Sequence, residues 1–94
     1  MGTQQLRSIY GGNSRQAMAR AIRAEIPDGQ AILDAEKRAQ MWCDHVPATD
    51  REQAARAADA WQRAHARRVI AENTIRAKYN MPIRGDESAL PPVV

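Results

Sequence analysis

Residues 55–70, ARAADAWQRAHARRVI, lie in the middle of a stretch from 50 to 79 that contains neither glycine nor proline. Alanine and arginine are among the best helix formers, and nothing in this stretch breaks a helix. At its start, Thr49 and Glu52 have the T-x-x-E spacing of a capping box. The sequence therefore predicts one helix over residues 50–79, about 45 Å long at 1.5 Å per residue.

Two shorter helices are predicted upstream of this long one. Asn13 and Gln16 also have capping-box spacing, and apolar residues then recur every fourth position, which predicts a helix over 14–25. After a Pro-Asp-Gly turn, a second helix is expected over 29–46, ending where a proline follows. Its apolar residues alternate at steps of three and four and predict a seam of two heptads: Ile32, Ala35, Ala39, Trp42 and Val46.

These elements predict an all-α fold, a small three-helix bundle or helical hairpin with one long C-terminal helix and flexible ends. Residues 1–12 contain a glycine pair and no sustained apolar period, so we expect an N-terminal basic arm there. Residues 13–80 form the single helical domain. Residues 81–94 include two adjacent prolines and predict an extended or disordered C-terminal tail.

The composition provides few large apolar side chains for a core. The chain has 94 residues, of which 44% are hydrophobic, but 18 of these are alanine, three are leucine and none is phenylalanine. Alanine adds only a methyl group, whereas a fully buried leucine contributes roughly 1.5–3 kcal/mol. Such a chain can pack its helices very closely, or bury further surface against a copy of itself or against a larger protein, and we expect the second.

The long helix has an apolar side that polar residues interrupt. On a helical wheel, the inner side holds Ala54, Ala57, Ala58, Trp61, Ala64, Ile75 and Tyr79. Arg56, Arg63 and Arg67 lie on the other side, typical of a solvated face, but His65 and Arg68 lie near Trp61. Because buried polar groups need partners, this interruption favours an interface over a closed core. The predicted protein interface comprises Trp42, Trp61, His65, Arg67, Arg68, Ile75 and Tyr79.

The charge distribution suggests nucleic acid as an alternative partner. The net charge is only +3, but the first 24 residues hold four arginines and no acidic residue. The helix over 29–46 carries three acidic and two basic residues, which argues against its docking in DNA as a recognition helix. Phosphate contacts would instead come from the two basic ends of the chain: Arg7, Arg15, Arg20, Arg23, Arg63, Arg67, Arg76 and Lys78.

Nothing in the sequence indicates catalysis, a metal site or a cofactor. Cys43 and His45 lie close together, but one cysteine and two histidines are too few for a recognisable zinc site. No glycine-rich phosphate loop is present. A single cysteine, no apolar run of membrane-spanning length and no leader lead us to expect a soluble cytoplasmic protein with no membrane contact and no small-molecule substrate.

The function expected from the sequence is protein binding without catalysis. The chain would be a small helical interaction module, an oligomeric accessory, inhibitor or assembly protein of a bacterium or phage. The alternative is a small basic nucleic-acid-binding or transcription-regulating protein that contacts phosphates through its N-terminal arm and its arginine-rich last helix.

Overall fold

Four helices make up the fold, and they confirm the all-α class. The computed structural model describes residues 2–83. Its helices are α1 (Gly2–Tyr10), α2 (Ser14–Glu25), α3 (Gly29–His45) and α4 (Arg51–Lys78), and no strand occurs among those residues. The last three helices begin and end within one residue of their predicted limits. Residues 84–94, most of the predicted tail, lie outside the described part of the chain.

The expectation of an irregular arm over residues 1–12 was wrong, because most of that segment forms α1. Leu6 is buried in the core at 1% exposure. The glycine pair ends this helix: Gly11 and Gly12 both have φ of +73°, a conformation that glycine adopts without steric cost. Arg7 Nε donates to the Gly12 carbonyl oxygen at 3.1 Å and fixes the turn into α2.

The capping box predicted for α2 is present. The Asn13 side chain accepts from the Gln16 backbone N–H at 2.9 Å, and the Gln16 side chain accepts from the Asn13 N–H at 2.9 Å. At the start of α4 the capping residue is Asp50, whose carboxylate accepts from the Gln53 N–H at 3.0 Å, not the predicted Thr49. Both helices therefore begin with a satisfied backbone donor.

The turn between α2 and α3 brings two backbone segments into close approach. Asp28 adopts a left-handed conformation with φ of 58°. A Cβ atom on Gly29 would lie 2.0 Å from the carbonyl oxygen of Ile22. Only glycine fits there, so the PDG sequence both ends α2 and sets how closely α3 crosses it.

An antiparallel hairpin of α3 and α4 forms the long axis of the molecule. Its seam is built from small residues at heptad spacing: Ala57, Ala64 and Ala71 are buried on α4, opposite Ile32 and Ala39 on α3. Alanine seams allow helix axes to approach at the short end of the usual range, about 8 Å. So narrow a seam leaves little room for a large ring, and the indole of Trp42, predicted to lie in it, is 41% exposed.

The large apolar side chains gather at one end of the hairpin. The core cluster contains Leu6, Met18, Ile22, Ile32, Ile75 and Tyr79, with alanines between them. The other end, which we call the distal hairpin (residues 35–67), buries only alanines fully: Ala39, Ala57 and Ala64. Ala54 and Ala58, placed inward by the wheel, are exposed. The described chain is elongated, measuring 48 × 29 × 21 Å.

No described helix combines the length and the apolar character needed to cross a bilayer.

Candidate interaction surface

The structure divides the predicted interface residues between the core and the surface. Ile75 and Tyr79 lie in the core cluster, covered by other helices of the same chain. Trp42, Trp61, His65, Arg67 and Arg68 lie on or near the distal hairpin. Of the seven predicted interface residues, these five therefore remain outside the core, whereas Ile75 and Tyr79 do not.

A ladder of charged side chains connects α3 to α4. Glu36 lies 2.8 Å from His65 Nδ1 and accepts from Arg68 Nε at 2.7 Å. Arg68 Nη1 also donates to Glu72 at 2.5 Å, and Glu72 accepts from Arg76 at 2.8 Å. Burial of Glu72 opposes its ionisation, but the hydrogen bond from Arg76 and the charge of Arg68 keep its pKa below the ordinary value. The polar residues that interrupt the apolar side are thus paired within the chain.

On one side of the hairpin, Trp61 packs against His65, a member of this ladder. Its ring stacks on His65 with centroids 4.6 Å apart and planes at 11°. A shallow groove of about 380 Å³ runs beside it between Leu33 and Met41. Met41 is exposed there. The indole of Trp61 therefore packs against a histidine that itself contacts Glu36 of α3.

A second groove, the Trp42 groove, lies on the opposite side of the distal hairpin. Its volume is about 490 Å³, and its lining consists of Ala35, Arg38, Ala39, Trp42, Ala60, Arg63, Ala64 and Arg67. The alanines form the floor, and no acidic residue lines it. Arg38 and Arg67 form no ion pair or side-chain hydrogen bond with any described residue, while Arg63 pairs with Asp59 at 2.8 Å. The groove is both apolar and strongly basic.

None of the arginines of α1 and α2 pairs with a carboxylate of a described residue, and three of them donate hydrogen bonds to neutral groups. Arg7 and Arg20 donate to carbonyl oxygens of the α1–α2 turn, and Arg23 donates to the Gln30 side chain. Arg15 is exposed at the edge of a cleft of about 570 Å³. On α4, by contrast, Arg76 and Lys78 are paired with glutamates, as is Arg63 with an aspartate. Three of the four basic residues predicted on α4 are therefore paired with carboxylates, whereas those on α1 and α2 are not.

A partly buried carboxylate, that of Glu25, joins three helices. Tyr10 and Tyr79 donate to one of its oxygens at 2.5 and 2.7 Å, and Lys78 pairs with the other. The hydrogen bond from Lys78, followed by that from Tyr10, lowers the pKa of Glu25 to about 2. The bonds to the carboxylate in turn raise the pKa of both tyrosines. This cluster fastens the ends of α1, α2 and α4 together.

Sequence reasoning missed three residues that matter at these sites. Glu25 and Glu36 contact partners between 15 and 54 residues away, so no local pattern indicates them. Arg38 carries a usable signal, because it precedes Trp42 by one helical turn and so shares its face.

The cysteine and histidines are not assembled into a chemical site. His45 Nδ1 lies 2.7 Å from the carbonyl oxygen of Met41 in its own helix, and Cys43 is half-buried. Among residues 2–83, no group of three His, Cys, Asp or Glu side chains is arranged to hold a metal ion.

Comparison of the chain with protein families, with curated proteins and with solved structures gives no match. The surface of the molecule itself is therefore the basis for inferring its function.

Proposed function

We propose that this chain is a non-enzymatic helical interaction protein that binds other protein, its own copy or a larger one, through the distal hairpin. The observation that carries the proposal is the unequal distribution of apolar side chains along α3 and α4. The core cluster occupies one end, while the distal hairpin leaves Trp42 exposed beside a floor of alanines and Met41 exposed in the groove on the other side.

Exposed aromatic side chains on a rigid helix are well suited to binding. Tryptophan is among the residues most enriched where truncation weakens an interface most, since it buries a large area with few rotatable bonds. The close alanine seam holds Trp42 on a helix that is itself packed against α4. A partner that covers the indole gains burial without ordering a loop.

The proposal predicts that Trp42→Ala weakens association and leaves the fold intact. Truncation of an interface tryptophan is expected to cost about 2 kcal/mol or more of binding free energy, roughly a thirtyfold loss of affinity. Association is measured by light scattering over a range of concentrations, and by capture of proteins from source cells. Circular dichroism checks that the variant is folded.

Ile9→Ala is the matched control, because Ile9 is a comparably exposed apolar residue on α1, outside the distal hairpin. It should keep the mass and the captured proteins of the parent chain. If Trp42→Ala does the same, the distal hairpin is not the binding surface.

Nucleic-acid binding is the second candidate, and the charge of α1 and α2 favours it. Residues 2–24 contain four arginines and no acidic residue, and none of these arginines pairs with a carboxylate of a described residue. We expect any such binding to follow phosphates and not base sequence. With four phosphates neutralised, the logarithm of affinity for random duplex DNA should fall by about 3.6 per tenfold rise in salt. Lack of binding at low salt would exclude this candidate.

We also propose a cytoplasmic location and an accessory, inhibitor or assembly role in a bacterium or phage. The single cysteine, which is half-buried and has no second cysteine to pair with in the chain, supports a reducing compartment.

A further inference from the structure

We propose that the Trp42 groove binds an acidic amphipathic helix of a partner protein, laid lengthwise between α3 and α4. The inference rests on the proposed function and names the chemistry of the partner. It follows from three properties of the groove: a floor of small residues, one exposed indole and three lining arginines, two of which have no carboxylate partner among the described residues.

The floor of the groove matches the shape of a helix. It extends from Ala35 to Trp42 on α3 and from Ala60 to Arg67 on α4, about two helical turns or 10 Å on each. Alanine side chains let a third helix approach closely and pack its apolar ridge between the two. The exposed ring of Trp42 stands at one side, where a leucine or methionine of that ridge would cover it. Helix-in-groove recognition uses such anchors at spacings of three and four residues.

The charged residues that line the groove favour a partner helix with negative charge. Three arginines line the groove and no acidic residue does. Arg38 and Arg67 have no carboxylate partner among the described residues, so their guanidinium groups are available to another molecule. Arginine forms paired hydrogen bonds with carboxylates, which orients the partner as well as attracting it. Glutamates or aspartates flanking the apolar ridge would meet these arginines on both helices.

The same features disfavour two other occupants. A second copy docked symmetrically through this groove would bring the two sets of arginines together, and like charges in apposition oppose association. A nucleic-acid strand would match the arginines, but phosphates do not complement the alanine floor that makes up half of the lining.

The probe is a synthetic peptide of about 18 residues, roughly five helical turns, with leucines at heptad spacing flanked by glutamates. A second peptide carries lysine in place of each glutamate. The full chain with Trp61→Phe leaves Trp42 as its only indole, so its fluorescence reports burial in the groove. We expect the glutamate peptide to shift Trp42 emission to shorter wavelength, with affinity that falls as salt rises, and the lysine peptide to have no effect.

Charge-reversal variants test whether the peptide binds in the Trp42 groove. Arg67→Glu should weaken binding of the glutamate peptide by about tenfold or more, while Arg51→Glu, an equal change of charge at an exposed arginine outside the groove, should weaken it by less than about twofold. Circular dichroism confirms that both variants are helical.

Several results would overturn the inference. The first two are equal binding of both peptides and equal effects of Arg67→Glu and Arg51→Glu on binding. The other two are binding of single-stranded DNA at this groove in place of the peptide, and a dimer of the chain that Arg67→Glu dissociates. If the glutamate peptide does not bind but association of the chain still depends on Trp42, this inference is wrong and the proposed function stands. If association is also independent of Trp42, both are wrong.

Discussion

Ile75→Ala is expected to lower the free energy of unfolding by about 2–5 kcal/mol, the usual cost of emptying a fully buried isoleucine site. Ile75 is 1% exposed and belongs to the one cluster of large apolar side chains in the described chain, together with Leu6 and Ile22. Those neighbours are held by separate helices and cannot all collapse into the space. Small domains have free energies of unfolding of about 5–15 kcal/mol, so the variant loses a large part of its total stability.

Ile9→Ala makes the same chemical change at a site that is 55% exposed, and it should alter stability by no more than about 0.5 kcal/mol. Urea or thermal unfolding followed by circular dichroism gives both values. For a domain of this size each kcal/mol corresponds to about 4–8 °C in Tm, so the two variants should differ by at least about 6 °C. Equal midpoints would mean that the core is not where the structure places it.

Local signals in the sequence were sufficient for most of the helices. Caps, prolines and apolar spacing located α2, α3 and α4 within one residue. The first helix could not be predicted from the glycine pair, because such a pair occurs both in irregular segments and directly after a helix. The useful signal was Leu6 followed by Ile9 and Tyr10 at helical spacing, with glycine directly after them, which is typical of a helix C-terminus.

The contacts between helices could not be predicted in the same way. Tyr79 and Ile75 looked like interface residues because the sequence does not show that α1 and α2 cover that end of α4. The wheel also missed Val69 and Asn73, both fully buried, since a helix contacted by different neighbours along its length has no single inner face. The sequence likewise could not show that Arg38 and Arg67 lack carboxylate partners, because that depends on which basic residue each acidic side chain contacts in the folded chain.

The Glu25 cluster is expected to make a large polar contribution to stability. Glu25→Gln removes the charge while keeping the size of the side chain, so hydrogen bonds from Tyr10, Tyr79 and Lys78 lose their charged acceptor. Hydrogen bonds to a charged group contribute about 1.5–3 kcal/mol, and we expect a loss in that range. Glu52→Gln is the matched control, because its pair with Arg56 is exposed and should contribute at most about 0.5 kcal/mol.

The effect of Glu25→Gln should also depend on pH in a defined direction. The folded chain holds the pKa of Glu25 at about 2, below its ordinary value of 4.5. A lowered pKa means that ionised Glu25 stabilises the fold at any pH above 4.5 and that this stabilisation is lost as the pH falls from 4.5 towards 2. Glutamine cannot titrate and resembles the protonated carboxyl. The difference in unfolding free energy between the parent chain and Glu25→Gln should therefore be constant from neutral pH down to about 5 and then shrink in more acidic solution. A difference that stays the same down to pH 2 would show that the carboxylate is not held by these partners.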